Sequence, residues 1–187
     1  MVSEILQFLI EIGFTILGIA FLARGWLYAI RFHPFNPFSQ LIFRVTEWLC
    51  KPLRTILPST RSIDFASFIG AYLSAFVYLI VMWTVSTLTL PPLFLVLPAL
   101  GAAVFTALRW MLNLVIWLTL IQAILSWVNP MAPIMPVLRT LMAPLLEPIR
   151  RILPNLGGLD FSPLVLLILA QIVMMSLNRI SYSIFGV

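Results

Sequence analysis

The chain has 187 residues, of which 62% are hydrophobic and 9% charged, and its net charge at pH 7 is +5. With a mean hydropathy of +1.11, it has too few charged side chains to cover a water-soluble domain, so the composition excludes that class. One cysteine and one histidine exclude an internal disulfide and the usual Cys/His metal sites, and we expect no metal or other cofactor.

Four apolar stretches are long enough to cross a bilayer, which takes about 20 residues per helix. We predict membrane-spanning helices over residues 5–30, 64–88, 102–128 and 162–182. Pro91, Pro92 and Pro98 predict a loop or a bend just before the third span.

A more polar, amphipathic segment follows the first span, and another follows the third. In residues 38–57 apolar side chains recur every three or four positions, and charged side chains fall mainly on the other side. A similar stripe continues to Ile152 in the second segment. Both are predicted to lie in the headgroup region. Pro52 predicts a break or kink near the end of the first, and Pro144 and Pro148 predict a division of the second into two short pieces.

The chain is internally repeated, because much of the pattern of residues 51–67 returns 96 positions later without a gap. The coinciding pairs are Pro52/Pro148, Arg54/Arg150, Ile56/Ile152, Leu57/Leu153, Pro58/Pro154, Asp64/Asp160 and Phe65/Phe161. We therefore predict two repeats, 1–92 and 93–187, each built as span, amphipathic helix and span. Two spans return the chain to its starting side, so the prediction is an all-α membrane protein with two parallel repeats.

The distribution of basic residues predicts the orientation. Eight of the 11 Lys and Arg residues belong to the two amphipathic segments and their turns: Arg31, Arg44, Lys51, Arg54, Arg61, Arg139, Arg150 and Arg151. The positive-inside rule makes that side cytoplasmic and both termini periplasmic. We expect these cations to contact anionic headgroups and not nucleic acid.

The repeated element Pro-(Leu/Ile)-Arg-x-Ile-Leu-Pro…(Ile/Leu)-Asp-Phe, with Asn36-Pro-Phe-Ser39 upstream in the first half, resembles the YggT/YlmG family. The resemblance covers both halves and is to the duplicated, Gram-negative type of member. It implies an inner-membrane protein associated with osmotic-shock tolerance and potassium handling. Relatives linked to cell-division gene neighbourhoods and, in plastids, to nucleoid distribution and cytochrome maturation imply the alternative, a membrane scaffold or assembly factor. In the second half Ala132-Pro-Ile-Met135 replaces the upstream Asn-Pro-Phe-Ser.

Each copy of the motif places an arginine and an aspartate on the two sides of a proline turn. We predict an ion pair across each turn, formed by Arg54 and Asp64 around Pro58, and by Arg150 and Asp160 around Pro154. Such a pair would hold the amphipathic helix against the start of the next span. The alternatives are an aspartate that caps the next helix, an arginine that reaches the lipid phosphates, and a ligand or ion site.

The predicted spans contain a few charged residues, Glu11, Arg24 and Arg109 among them. One hypothesis pairs Glu11 with Arg109. In the alternative each charge reaches the interface, since Arg24 and Arg109 lie near the ends of their spans. A transport role for Glu11 is the functional interpretation. Polar side chains on one face of the third span are predicted to form interhelical hydrogen bonds, namely Thr119, Gln122 and Ser126.

We expect a non-enzymatic protein, because the sequence offers no nucleophile, base and orienting group together. His33 is predicted in a loop without a carboxylate partner. Gly157-Gly158 lacks the strand and the Gly-Lys-Ser/Thr ending of a phosphate loop. Cys50 is predicted on the apolar side of its helix. The expected partners are the lipid bilayer and either further copies of the chain or other membrane proteins.

Overall fold

The computed structural model describes residues 2–31, 37–57, 63–152 and 160–186. Over these residues the chain is helical and contains no strand. The helices are α1 Val2–Ala29, α2 Pro37–Ile56, α3 Phe65–Thr87, α4 Leu93–Val128, α5 Met135–Ile152 and α6 Ser162–Phe185. Helices α1, α3, α4 and α6 are long and apolar enough to cross a membrane, whereas α2 and α5 are amphipathic. The predicted all-α class with four candidate spans is therefore confirmed.

The first of two compact units consists of Met1–Met111 and Asn178–Val187. Within it α1, α2 and α3 pack against one another. Close packing depends on glycine, since a Cβ atom at Gly70 would lie 2.9 Å from the ring of Phe21, and one at Gly18 would overlap the ring of Trp110. Small residues of this kind let membrane helices approach closely.

The second unit consists of Leu112–Leu177. Helix α5 packs there through a buried stripe with spacings of three and four residues. That stripe is Met135, Leu138, Met142 and Leu146. Met142 and Leu146 pack with Leu166 of α6, which gives this unit an apolar core beneath its amphipathic helix.

The start of the third span was wrongly predicted. Helix α4 begins at Leu93 instead of near Ala102, and it continues through Pro98. One proline inside a helix removes one backbone hydrogen bond and costs about 3 kcal/mol. An irregular segment would leave more N–H and C=O groups without partners in an apolar environment, so the helix extends through the proline.

Helix α5 is not divided in two, and α2 does not end at its proline. Helix α5 continues through Pro144 and Pro148, and α2 through Pro52. All three prolines are exposed, on the side away from the buried stripe of their helix. Packing of the buried side is therefore undisturbed, and it offsets the loss of single backbone hydrogen bonds on the outer side.

Candidate functional site

The first predicted ion pair is present between the end of α2 and the start of α3. Arg54 Nη2 lies 2.7 Å from Asp64 Oδ2, and Arg54 Nε donates to Asp64 Oδ1 at 3.4 Å. Asp64 is fully buried, whereas the side chain of Arg54 is 36% exposed. The pair therefore joins a buried carboxylate to a cation that reaches the surface.

Arg24 of α1 converges on the same carboxylate. Arg24 is 1% exposed, and its Nε lies 3.7 Å from Asp64 Oδ2. Nη2 donates to Glu47 at 2.7 Å and Nη1 to Thr46 Oγ1 at 2.8 Å. The guanidinium also lies 5.1 Å from the centre of the Phe43 ring, within the distance for a cation–π contact. Arg24 is therefore buried against α2, which supplies acceptors at its side, and its side chain does not extend to the surface.

Two arginines and two carboxylates thus form a charge-balanced network across three helices. Burial alone raises the pKa of Asp64, but hydrogen bonds from Arg54 and Ser67, with the charges of Arg54 and Arg24, outweigh it, and the net pKa is lowered. Ser67 Oγ donates to Asp64 Oδ2 at 2.7 Å. Asp64 is therefore an anion at neutral pH despite its burial, and the other members of the network hold it in that state.

Small polar side chains of α2 and α3 line the edge of the network. Cys50 Sγ lies 3.8 Å from Ser67 Oγ, and it is buried among polar groups instead of facing the apolar side of its helix as predicted. Burial raises the pKa of its thiol, so the thiol is protonated at neutral pH and a weak nucleophile. Ser39 Oγ and Arg24 Nε are buried without a hydrogen-bond partner.

The second predicted ion pair is also present, in more open surroundings. Arg150 Nη2 lies 2.7 Å from Asp160 Oδ2, and the two side chains are 41% and 38% exposed. The backbone N–H of Ser162 donates to Asp160 Oδ1 at 3.0 Å. Burial raises the pKa of Asp160, but the hydrogen bonds from Ser162 and the Arg150 charge lower it overall.

The capping alternative is realised differently in the two copies. Asp64 occupies the N-cap position of α3, yet its carboxylate makes no capping hydrogen bond, because it is used by Arg54 and Ser67. Asp160 lies outside α6, and its carboxylate accepts the N–H of the first helical residue, Ser162. Ion pairing and capping therefore combine only in the second copy.

Glu11 and Arg109 lie within electrostatic reach of the same side chain, Tyr78 of α3, but no ion pair joins them among the described residues. Arg109 Nη2 donates instead to Thr106 Oγ1 at 3.1 Å, one turn back on the same helix, and Glu11 is exposed on α1. The predicted cross-helix ion pair is therefore not formed, and the Arg109 guanidinium has a hydroxyl acceptor within its own helix.

Three predicted residues lie outside the described part of the chain. They are His33 and the prolines at the centres of the two predicted turns, Pro58 and Pro154. Within the described residues, no group of three or more His, Cys, Asp or Glu side chains is placed to hold a metal ion.

Sequence reasoning found the two pairs but missed the contributions of Arg24 and Thr46. A comparison of the two repeats would have indicated both residues. Leu120 stands 96 positions after Arg24, and Met142 stands 96 positions after Thr46. A polar residue with an apolar counterpart in the other copy points to a role confined to one copy.

The model of the CCB3/YggT family matches the chain twice, over residues 3–85 and 101–181. The chain belongs to the CCB3/YggT family. The predicted resemblance is confirmed, and the two matches suggest a repeat organisation, while the boundary at residues 92 and 93 stays a prediction.

Relatives share most of the length of this chain. It is 36% identical to the uncharacterized protein YggT of Escherichia coli (strain K12), over 94% of this chain and 90% of that protein. It is 39% identical to an uncharacterized protein in the proC 3′ region of Vibrio alginolyticus, over 87% of this chain and 88% of that protein. An uncharacterized protein of Haemophilus influenzae is 30% identical, with 90% and 87% covered. No solved structure matches the chain.

Proposed function

We propose that this protein is a non-enzymatic scaffold of the inner membrane that holds α2 at a fixed place on the cytoplasmic surface. The observation that carries the proposal is the contact of Arg24 with both Glu47 and Asp64. One buried side chain of α1 thereby reaches α2 and the start of α3. Moving α2 away would break the ion pairs that Glu47 makes with Arg24 and Arg54 makes with Asp64, and breaking a buried pair costs about 3–5 kcal/mol. Such an anchored helix suits a platform better than a gate.

The outward side of α2 has the chemistry of a membrane interface. Leu41, Val45 and Trp48 are exposed large hydrophobic residues, and Arg44 and Lys51 are exposed cations of the same helix. Apolar side chains with an aromatic ring suit the boundary between hydrocarbon and headgroups, and cations suit anionic lipid phosphates. In this proposal α2 and α5 lie in the interface, and lipids are their first partners.

The orientation rests on the positive-inside rule. Two parallel repeats place both amphipathic helices, with their basic residues, on one side of the membrane, and the rule makes that side cytoplasmic. Both termini are then periplasmic. The partner of the platform is a second copy of the chain or another protein of the envelope, of division or of cofactor maturation, as the family resemblance implies.

The second candidate is a role in osmotic tolerance and potassium homeostasis, and Glu11 favours it. Its side chain is exposed on α1, a helix long and apolar enough to span the membrane. A carboxylate in a membrane span is costly and often marks an ion pathway. Among the described residues Glu11 forms no ion pair, in contrast to Arg24.

Potassium flux into proteoliposomes of the purified full chain separates the two candidates. The scaffold predicts flux equal to that of empty vesicles at verified folded incorporation. Flux above that background that falls in Glu11→Gln and persists in the control Arg109→Gln would move the function to ion homeostasis.

The anchoring itself is testable by a distance measurement. Spin labels at Arg44→Cys on α2 and Ser86→Cys on α3, in a Cys50→Ser background, should give one narrow distance distribution. Arg24→Gln should broaden it. An equally narrow distribution in that variant would show that α2 is held by something other than the network, and the scaffold proposal would lose its support.

A further inference from the structure

A cavity of about 450 Å³ lies in the second unit, between α4, α5 and α6. Its volume is in the range of small-molecule sites. The polar part of its lining is Gln122, Ser126, Arg139, Arg150 and Asp160. The apolar part includes Leu120, Ile124, Trp127, Leu164 and Leu167.

The lining of this cavity corresponds in sequence to the surroundings of Arg24 in the first unit. Leu120 stands 96 positions after Arg24, and Asp160 stands 96 positions after Asp64; both line the cavity. Because leucine replaces arginine, no guanidinium extends from the span towards this aspartate. The second unit thus keeps the carboxylate of the network but lacks its inner cation.

A different arginine brings positive charge to the cavity. Arg139 occupies the position that aligns with Phe43, and its side chain is exposed. Among the described residues it forms no hydrogen bond or ion pair, whereas Arg150 is already paired with Asp160. An arginine without a counter-ion in a cavity is suited to bind a phosphate group.

An unsatisfied acceptor lies in the same lining. Gln122 is 3% exposed, in the last third of α4, and its side-chain oxygen has no hydrogen-bond partner. A buried acceptor without a donor is unfavourable. A ligand with N–H groups would satisfy it and would also face the carboxylate of Asp160.

We propose that the cavity binds a phosphoethanolamine group, with its phosphate at Arg139 and its primary ammonium at Gln122 and Asp160. The ammonium supplies the inner cation that Arg24 provides in the first unit. The group is present in phosphatidylethanolamine and in free phosphoethanolamine. The apolar residues of α4 and α6 that continue the lining suit acyl chains, so the membrane lipid is the expected source.

Native mass spectrometry of the purified full chain tests this directly. Phosphatidylethanolamine, phosphatidylcholine and phosphatidylglycerol with identical acyl chains are added to the same detergent-solubilised protein. We expect phosphatidylethanolamine to bind about tenfold more tightly than the other two, which is the effect of about one additional charged hydrogen bond. Choline has no N–H to donate, and glycerol has no cation for Asp160.

Three variants connect the preference to the cavity. Arg139→Gln should weaken binding of phosphatidylethanolamine about tenfold. Gln122→Leu should reduce the preference for phosphatidylethanolamine over phosphatidylcholine while both still bind, because Asp160 remains as an acceptor for the ammonium. Arg179→Gln removes an exposed arginine of α6 that belongs to the first unit, and it should change neither value.

Equal affinity of the wild-type protein for phosphatidylethanolamine and phosphatidylcholine would overturn the proposal, as would equal effects of Arg139→Gln and Arg179→Gln. The last measurement compares the affinity of the protein for free phosphoethanolamine with its affinity for phosphatidylethanolamine. If the two affinities are equal, the cavity binds the phosphoethanolamine group, but the membrane lipid is not its specific ligand.

Discussion

The two copies of the proline-flanked motif form the same ion pair in different surroundings. Asp64 is fully buried and has two arginines within 4 Å, whereas Asp160 is 38% exposed and has one. The motif residues themselves do not explain this, since they are shared. The residues around them do: Thr46 and Cys50 of the first copy are replaced by Met142 and Leu146 in the second.

One local motif therefore occurs with two kinds of interior. In the first unit α2 is held by charge and hydrogen bonding, and in the second unit α5 is held by the packing of Met142 and Leu146 with Leu166. A pair that is buried with all its partners is sensitive to the loss of any one of them, whereas a half-exposed pair contributes about 0–1 kcal/mol.

The largest effect is expected for Arg24→Gln. It removes donors from Thr46 and Glu47 and a charge from the neighbourhood of Asp64, so it should lower the free energy of unfolding by about 3–5 kcal/mol. Heating with a thiol-reactive fluorophore measures this, because Cys50 is the only cysteine in the chain and is buried beside the network. Arg109→Gln, which loses one hydrogen bond to Thr106, should cost about 1 kcal/mol. Equal shifts in the two variants would contradict the network.

The next effect separates the two aspartates. Asp64→Asn should cost about 3 kcal/mol, because buried Arg24 and half-buried Arg54 lose their shared anion. Asp160→Asn should cost about 1 kcal/mol or less, since its pair is half-exposed and the amide oxygen still accepts the Ser162 N–H. Melting followed by circular dichroism gives both values. A larger loss for Asp160→Asn would reverse the comparison.

A smaller effect is expected where α3 approaches α1. Gly70→Ala places a Cβ atom 2.9 Å from the buried ring of Phe21 and should cost about 1–3 kcal/mol through overpacking. Gly13→Ala is the control, because a Cβ atom there meets nothing within 4 Å, and it should stabilise α1 by about 0.5–1 kcal/mol. The aligned residue in the second copy is already a leucine, Leu166. If Gly70→Ala matched the control, the close approach would not matter for stability.

The smallest effect is the response to acid. Asp64 has a lower pKa in the folded protein than the value of about 4 expected in the unfolded chain. Its contribution to stability is therefore complete above that unfolded value and is lost as the pH falls through the folded pKa. One carboxyl group changes the free energy of unfolding by at most about 1.4 kcal/mol per pH unit. Unfolding midpoints measured between pH 6 and pH 2 should fall less steeply in Asp64→Asn than in Asp160→Asn. Parallel curves would assign the acid sensitivity to other groups.

The sequence predicted the features that depend on hydropathy and on the repeated motif. Four spans and two amphipathic helices follow from the spacing of apolar residues, and the pairs at Asp64 and Asp160 follow from an arginine ten positions earlier in each copy. The role of Arg24 did not follow, because the distance from a span to the side of α2 depends on how α1, α2 and α3 pack. Hydropathy alone favoured the interface for that arginine.

Helix boundaries near prolines were the other failure. A proline in the sequence indicates the loss of one backbone hydrogen bond. It does not indicate how far packing or an apolar environment stabilises the rest of the helix. Pro98 and Pro144 both lie inside helices for that reason. An amphipathic helix tolerates proline on the side opposite its buried apolar stripe. Comparing the position of each proline with the apolar stripe in the sequence would identify such tolerated prolines.

The continuity of α4 through Pro98 has a consequence for the bilayer. A helix of 36 residues is about 54 Å long, whereas the hydrocarbon core is about 30 Å thick. A helix of that length is accommodated by tilt, by a bend or by extension into the headgroups, and its first turns expose Leu93, Phe94 and Leu97, apolar side chains that disfavour water. The hydrophobic mismatch would depend on membrane thickness: a thicker bilayer would shelter those first turns, and a thinner one would increase the mismatch.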